Sequence, residues 1–143
     1  VNDPTTANNC VDFLGNILVQ AARRPDPFCY YHDADGRLRL VAKDVSFERL
    51  VDDALNQIRQ YAAGDVSVVL RMLKILKEVA QATSDPKRQA VLWRHARMIA
   101  RAADPKIHEP YDRQQINERV RRLAAMLDQA PGQALLRVDE ALL

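Results

Sequence analysis

The chain has 143 residues, of which 48% are hydrophobic and 28% are charged, and its formal net charge is +2. This balance fits one globular domain with a hydrophobic core, and it excludes a disordered chain or two full-sized domains. Only 4 glycines and 6% aromatic residues are present. Together with abundant Ala, Leu and Arg, this composition favours helices over a β-sandwich or barrel.

The chain begins without a methionine, so we expect it to be a piece of a longer protein. A membrane-spanning helix needs roughly 20 consecutive apolar residues. The most apolar stretch, residues 66–80, is interrupted by four charged side chains. We therefore expect a soluble domain without a span of its own.

Helix one is predicted over residues 4–23. Asp3 can cap its start, and Pro4 suits the first helical position. Apolar residues then recur at helical spacing, at Ala7, Cys10, Val11, Leu14, Leu18 and Ala21. The two cysteines, Cys10 and Cys29, are predicted to be buried free thiols in a reducing compartment.

Residues 28–42 have the composition of a β-hairpin. The segments FCYY and RLRLV flank the turn-forming sequence DADG at residues 33–36. A calcium loop does not fit this sequence. With Gly36 at the sixth position, the first ligand would be Tyr31 and the bidentate acid would be Ala42, and neither is a carboxylate.

Two helices follow the hairpin in quick succession. Ser46 can cap helix two, which is predicted to run to Ala62, with Gly64 as a left-handed stop. Asp65 then caps helix three, residues 66–80. Apolar residues cover most of its circumference, so it is predicted to be the buried centre of the bundle.

Two more helices complete the predicted fold. Asp85 and Pro86 open helix four, which extends to Ala103, and Glu109 and Pro110 open helix five. A short amphipathic turn is predicted in the tail, residues 131–143, from Leu135, Leu136, Val138 and Leu142. The predicted fold class is therefore mainly α: a bundle of about five helices with a small β-hairpin insertion between helices one and two.

The sequence contains no recognisable catalytic, metal or cofactor motif. None of His32, His95 and His108 has, within a predicted helix, a second ligand three or four residues later. The serines at 46, 67 and 84 lie at or near helix starts, where hydroxyls usually cap, and no GxSxG elbow occurs. We expect no enzymatic activity, no metal and no cofactor.

Positive charge is concentrated in predicted helices four and five. Residues 86–127 carry ten Lys or Arg and four acidic residues. A solvated helical face is the preferred interpretation, and a patch facing anionic lipid headgroups is the alternative. Nucleic acid is the least favoured partner, because only Trp93 and Tyr111 could serve as stacking platforms.

Helix one has an unusual stripe of short polar side chains, consisting of Thr5, Asn8, Asn9, Asp12 and Asn16. A solvated face would normally use Lys, Glu and Arg, so the stripe indicates a packed polar seam. The preferred interpretation is a structural network that pairs Asp12 with Arg59 or Arg71. If the seam instead binds a partner or ligand, the candidate residues are Asn8, Asn9, Asp12, Arg59, Tyr61 and Arg71.

The opening residues, VNDPTTANNCVDFLG, resemble the INDPxTAxNCxDxLG segment of the domain of unknown function 2254 family of predicted bacterial integral membrane proteins. The similarity continues through DGRLRLV at 35–41 and DALNQIRQYAAGD at 53–65, and it covers residues 1 to about 80. The resemblance implies an N-terminal membrane part with several spans, followed by a soluble C-terminal region. It implies no known reaction.

These observations lead to two functional expectations. The first is a non-enzymatic accessory, sensing or assembly domain of a bacterial inner-membrane protein, on the cytoplasmic side, that contacts its own membrane part or a second copy. The second is a regulatory domain that binds a small polar ligand or ion and controls transport through the missing spans. An open pocket at the candidate residues would favour the second over the first.

Overall fold

The computed structural model describes residues 3–43 and 45–138, in which five α-helices surround one hydrophobic core and a short hairpin stands between the first two helices. This arrangement confirms the predicted fold class. The helices are α1 (Pro4–Ala22), α2 (Phe47–Ala62), α3 (Val66–Gln81), α4 (Pro86–Ala103) and α5 (Pro110–Met126). The strands are β1 (Tyr30–His32) and β2 (Leu38–Val41), and a 3₁₀ turn follows at Gly132–Ala134.

Side-chain caps define where four of the helices begin. The carboxylates of Asp3, Asp65 and Asp85 accept hydrogen bonds from backbone N–H groups in the first turns of α1, α3 and α4. The Ser46 hydroxyl accepts from Arg49 N at the start of α2. These bonds satisfy N–H groups that have no partner within the helix, which is why the predicted starts agree with the observed ones.

Helix α3 is the centre of the bundle, as predicted. It packs against α1, α2, α4 and α5. Eight of its side chains are buried: Val68, Val69, Met72, Leu73, Ile75, Leu76, Val79 and Ala80. Burial of this apolar surface is the main driving force for assembling the bundle.

Helices α1 and α3 approach closely at Gly15. A Cβ atom added there would lie 2.7 Å from Ile75 Cγ2 and 3.0 Å from Ile75 Cβ. Gly15 is buried within α1. The missing side chain therefore sets the spacing of the two helices, although glycine is a poor helix former.

The hairpin has antiparallel pairing with one irregularity. Tyr30 is opposite Val41 and Tyr31 is opposite Leu40, and the register shifts between Tyr31 and His32. Gly36 has φ +77°, a conformation that the turn requires and that glycine adopts without steric cost. Every residue of both strands is exposed.

The predicted left-handed end of helix two is wrong. Gly64 is not left-handed: among the described residues, positive φ occurs at Gly36, Asp128 and Gly132. Helix α2 ends through Ala63 in the right-handed region, and Asp65 N donates to Ala62 O before capping α3, so no left-handed residue is needed.

The prediction that both cysteines are buried is also wrong. Cys10 is exposed and Cys29 is half-buried, and both are free. Val11 occupies the buried position of that turn of α1, with no exposed surface, so Cys10 faces outward. Helical spacing alone did not distinguish these adjacent positions.

The tail returns to the bundle through Asn117. The side chain of this buried residue donates to Leu136 O at 2.8 Å and accepts from Leu136 N at 2.7 Å. Leu136 is buried as a result. Of the predicted amphipathic turn, the 3₁₀ turn and residues to Val138 are described, while Leu142 lies outside the described residues.

Candidate functional site

The structure joins part of the predicted polar seam to helix α3. Asn8 Nδ2 donates to Ser67 Oγ at 3.0 Å, and Ser67 Oγ donates to Asp65 Oδ1 at 2.7 Å. Arg71 Nη1 lies 3.3 Å from Asp12 Oδ2. The Asp12–Arg71 pair is partly exposed, so solvent and salt screen its attraction. These contacts connect α1 with α3 at the edge of the core.

The other candidate residues lie elsewhere. Asn9 is exposed and lines a shallow concavity beside Cys10 and Phe13. Arg59 contributes to the electrostatic environment of His95 on α4, and its Nε atom is buried without a hydrogen-bond partner in the described part of the chain. No hydrogen bond or ion pair between described residues connects Arg59 with Asn8, Asn9 or Asp12.

Tyr61 lines an open groove of about 710 Å³ where the starts of α1 and α3 meet the end of α2. Asp3, Asp65 and Gln57 supply polar groups to the groove, and Ile58 and Val68 supply apolar walls. The hydrogen bonds from Thr6 and Thr5 lower the pKa of Asp3 below its ordinary value. The groove can therefore accommodate a small ligand with a cationic group.

A buried histidine forms a polar cluster between α2 and α4 that the sequence analysis did not identify. His95 is fully buried, and its Nε2 lies 2.7 Å from Asp52 Oδ1. Arg94 donates to Asp52 at 2.7 Å and to Glu48 at 2.6 Å. Burial lowers the pKa of His95, and the neighbouring Asp52 only partly opposes this effect.

The sequence did contain a signal for this cluster. His95 occurs where the apolar repeat of α4 requires a core residue, between Leu92 and Ile99. Asp52 follows the fully buried Val51 on α2. Because buried polar side chains need hydrogen-bond partners, a histidine in a core position predicts a nearby carboxylate or carbonyl group.

The hairpin carries the largest group of exposed apolar side chains. Of the twelve exposed large hydrophobic residues among those described, nine lie between Phe13 and Val45. We call seven of them the hairpin surface: Phe28, Tyr30, Tyr31, Leu38, Leu40, Val41 and Val45. Phe28 is 82% exposed and Leu40 is 57% exposed.

The hairpin surface has two uncovered faces. Cross-strand partners share a face of a sheet, and adjacent residues alternate between faces. The Tyr30–Val41 and Tyr31–Leu40 pairs therefore lie on opposite faces. A two-stranded sheet is marginally stable by itself, and both faces here are open to another surface.

The tip of the hairpin is polar, and the Asp33 side chain bridges it. Asp33 accepts hydrogen bonds from the backbone N–H groups of Asp35 and Arg37 and from Arg39 Nε. These bonds lower the pKa of Asp33, the bond from Arg37 most of all. The carboxylate therefore holds the turn together through three hydrogen bonds.

The ten cations of α4, α5 and the loop between them have three kinds of environment. Arg88 and Arg113 are largely buried and donate to backbone carbonyl groups. Arg94 and Arg122 form ion pairs with acidic side chains. The remaining cations have no ion pair among the described residues: Lys87, Arg97, Arg101, Lys106, Arg119 and Arg121.

Comparison with known proteins identifies relatives in mycobacteria. The chain is 29% identical over 113 residues to the uncharacterized protein Rv1290c of Mycobacterium tuberculosis and to the uncharacterized protein Mb1321c of Mycobacterium bovis. The match covers 79% of this chain and 22% of each relative, so the chain spans about a fifth of their length. No solved structure matches the chain.

Two further findings concern the membrane. Within residues 3–43 and 45–138, none of the helices combines the length and the apolar character that crossing a bilayer requires. The family model described as predicted membrane protein (DUF2254) matches residues 1–78, more than half of the chain. The resemblance found in the opening residues is thereby confirmed, and the chain belongs to the DUF2254 family of predicted membrane proteins.

Proposed function

We propose that this chain is a non-enzymatic docking domain that uses the hairpin surface to assemble with the remaining part of its own membrane protein. The observation that carries the proposal is the exposure of both apolar faces of the hairpin. Its three aromatic side chains alone expose roughly 400 Å² of surface. The four aliphatic residues add to the exposed apolar surface of the hairpin, and large exposed apolar patches mark interaction sites on soluble proteins.

The size of the relatives supports this choice of partner. More than three quarters of each mycobacterial relative lies outside the matched region, and the family is one of predicted membrane proteins. The hairpin carries Asp33, Asp35, Arg37 and Arg39, so it has little net charge to attract an anionic lipid surface. Protein groups that complete the two-stranded sheet fit the hairpin better than lipid headgroups do.

The polar contacts of helix α1 hold it against α3 and are structural in this proposal. Asn8 and Asp12 connect α1 with Ser67 and Arg71 of α3. Phe13 and Ile17 of α1 are also exposed apolar side chains. The domain is on the cytoplasmic side of the bacterial inner membrane in this proposal, because cations near membrane spans favour that side.

The polar cluster of His95 and Asp52 is the described group that most resembles a catalytic site, and its burial is the reason that we propose no enzymatic role. Asp52 and His95 resemble the orienting acid and base of a catalytic site, but the His95 side chain has no exposed surface. A base must come within hydrogen-bond reach of a substrate proton. In this cluster the hydrogen bond is better explained by the need to satisfy a buried imidazole.

Cysteine labelling tests the proposed docking. Cys10 and Cys29 are first replaced by Ser, and a single cysteine is introduced by Leu40→Cys or, as the matched control, by Tyr111→Cys on α5. Both positions are exposed in this chain. We expect a soluble maleimide to label both variants of the isolated chain quickly. In the whole protein within its membrane, we expect labelling at residue 40 to slow at least tenfold.

Two results would count against the proposal. Equal labelling rates for Leu40→Cys in the isolated chain and in the whole protein would mean that nothing covers the hairpin. If residues 40 and 111 were equally protected from the maleimide in the whole protein, the docking contact would not be specific to the hairpin. Protection of residue 40 in the isolated chain that increases with concentration, together with a doubled mass in light scattering, would identify a second copy as the partner instead.

The groove at Tyr61 supports a second candidate function, the binding of a small cationic ligand that regulates transport through the membrane part. Tyr61 and the carboxylates of Asp3 and Asp65 line this groove. An aromatic ring and two carboxylates are suitable partners for an organic ammonium group. A panel of small amines should then raise the melting temperature of the parent chain but not that of Tyr61→Ala. No rise with any amine would oppose this function.

A further inference from the structure

A groove of about 310 Å³ between α3 and α5 contains a concentration of positive charge. Its lining residues are Lys74, Lys77, Glu78, Gln81, Arg119 and Arg122. Four of these six side chains are cations and one is an anion. The groove lies away from the hairpin surface and from the Tyr61 groove, with which it shares no lining residue.

The acidic groups near this groove are already paired within their own helices. Glu78 Oε1 lies 3.4 Å from Lys74 Nζ, one turn earlier on α3. Glu118 accepts a hydrogen bond from Arg122, one turn later on α5. No ion pair between described residues joins α3 to α5 across the groove.

Lys77 and Arg119 are therefore the unbalanced charges of the groove. Both are half-buried, and neither has an ion pair among the described residues. Two cations that share a partly desolvated groove repel each other, and their separation from bulk water weakens the screening of that repulsion. An anion between them would convert the repulsion into attraction.

We propose that this groove binds a phosphate group. With Glu78 and Glu118 each paired to one cation, the groove and its rim retain a net charge of about +2. This charge balances a phosphate monoester and exceeds the single charge of a diester. Arg119 supplies a planar fork for two phosphate oxygens, and Lys77 supplies a point charge. The volume suits a phosphate with a few attached atoms, either on a lipid headgroup or on a soluble compound.

This site differs from the lipid patch expected from helices four and five. It uses α5 together with α3, whereas the exposed cations Lys87 and Arg101 of α4 lie outside it. The inference does not depend on the docking function of the hairpin. The cations of α4 provide a matched control with the same change of charge.

Calorimetric titration with inorganic pyrophosphate tests the site. Three proteins are compared: the parent chain, the groove variant Lys77→Gln/Arg119→Gln and the control variant Lys87→Gln/Arg101→Gln. We expect the groove variant to bind at least tenfold more weakly than the parent and the control variant to bind within twofold of it. Without pyrophosphate, the groove variant should melt no lower than the parent, because it loses a repulsion.

Sedimentation with vesicles identifies the source of the phosphate. Phosphatidylglycerol vesicles that bind the parent and the control variant but not the groove variant would indicate a lipid headgroup. Pyrophosphate binding without vesicle binding would indicate a soluble phosphate compound. The proposal is overturned if the parent binds no pyrophosphate at millimolar concentration, or if both variants lose affinity equally, since equal loss would mean diffuse attraction to any cation.

Discussion

His95 is a titratable side chain that the bundle keeps neutral. Nε2 lies 2.7 Å from an Asp52 carboxylate oxygen, which can only accept, so in the neutral ring the proton is on Nε2 and Nδ1 carries none. Nδ1 is buried and has no hydrogen-bond partner among the described residues. A second proton on the ring would therefore create a buried donor without an acceptor, and this adds to the cost of burying a charge.

We predict that acid weakens the fold through His95. Because burial lowers its pKa below the ordinary value of 6.5, the unfolded chain binds the proton more readily than the folded chain. The contribution is fully present above pH 6.5 and is lost as the pH falls from there towards the folded pKa. Urea unfolding of the parent and of His95→Gln at pH 7.5 and pH 5.5 measures this loss.

Asp33 does not contribute to this comparison. Its hydrogen bonds lower its pKa below the ordinary value of 3.8, so it stays charged at both pH values. The parent should lose more between the two pH values than His95→Gln does. Equal losses would mean that His95 does not contribute.

The close approach of α1 and α3 at Gly15 leads to a second prediction for a single residue. Gly15→Ala should lower the free energy of unfolding by about 1–2 kcal/mol, because overpacking against Ile75 outweighs the gain of about 1 kcal/mol in helix propensity. The added Cβ would otherwise lie 2.7 Å from Ile75 Cγ2. Urea unfolding in the Ile75→Ala background provides the control. The cost of Gly15→Ala should shrink there, and an unchanged cost would assign the effect to another contact.

Individual side chains were the least predictable level of this protein. The sequence left Arg59 and Arg71 as alternative partners of Asp12, and the structure pairs Asp12 with Arg71. Helical periodicity locates the buried face of a helix only to within about one residue. It therefore placed Cys10 in the core together with its neighbour Val11. The partner of a side chain depends on how helices pack, which periodicity does not encode.

At the scale of elements, Arg88 secures the end of one helix from the start of another. Its Nη1 donates to the carbonyl groups of Ala21, Ala22 and Arg24 at 2.8–3.3 Å, where α1 ends. Its guanidinium carbon also lies 5.0 Å from the centre of the Phe47 ring. Helix α1 ends without a glycine, so the guanidinium supplies a donor to the carbonyl groups of Ala22 and Arg24. It adds a second donor to Ala21 O, which already accepts from Arg24 N.

We predict that Arg88→Met lowers the free energy of unfolding by about 2 kcal/mol, because it leaves several carbonyl groups of α1 without their charged donor. Methionine retains most of the aliphatic stem, so lost packing contributes little. The exposed neighbour substitution Lys87→Met is the control and should cost less than about 0.5 kcal/mol. Urea unfolding measures both, and equal effects of the two substitutions would contradict this role for Arg88.

The starts of α1 to α4 were predictable because a single short side chain caps each of them, whereas Glu109 makes no such bond at the start of α5. Asp3, Ser46, Asp65 and Asp85 cap the helices that the sequence assigns to them. Helix ends depend more on context, and Gly64 illustrates this. A glycine after a helix suggests a left-handed residue, but the next cap at Asp65 follows too soon for one to be needed.

At the scale of the whole molecule, the stability of the helical bundle does not depend on the hairpin. No residue of β1 or β2 belongs to the buried core. Ala42 N donates to Cys29 O at 2.7 Å, so the two ends of the hairpin are adjacent. A short link can therefore replace the strands without stretching the chain.

We predict that residues 30–41 can be replaced by Gly-Ser-Gly-Ser at little cost. The free energy of unfolding should fall by no more than about 0.5 kcal/mol, because no core contact is lost. The same variant should bind less of a fluorescent hydrophobic dye. Chemical unfolding and dye titration measure the two effects. A cooperative loss of more than about 2 kcal/mol would mean that the hairpin supports the core after all.

The sequence predicted that this hairpin exists but not that it is uncovered. Turn chemistry at 33–36 and strand-forming residues on each side were sufficient for the first conclusion. Alternation along a strand identifies two faces, but it does not tell whether a helix covers either of them. The phosphate groove was also hidden, because Lys77 and Arg119 are far apart in sequence and meet only when α3 packs against α5.

The hairpin is tied to the bundle at its base by the side chain of Asp26. Asp26, at its entry, accepts hydrogen bonds from Arg88 at 2.8 Å and from Phe47 N, just beyond its exit, at 3.1 Å. Both ends of the connection are thereby fixed to the bundle. A contact made by a fixed element loses less orientational entropy than one made by a flexible tether. The hairpin can therefore form a specific contact from a smaller area than a disordered loop of the same composition would need.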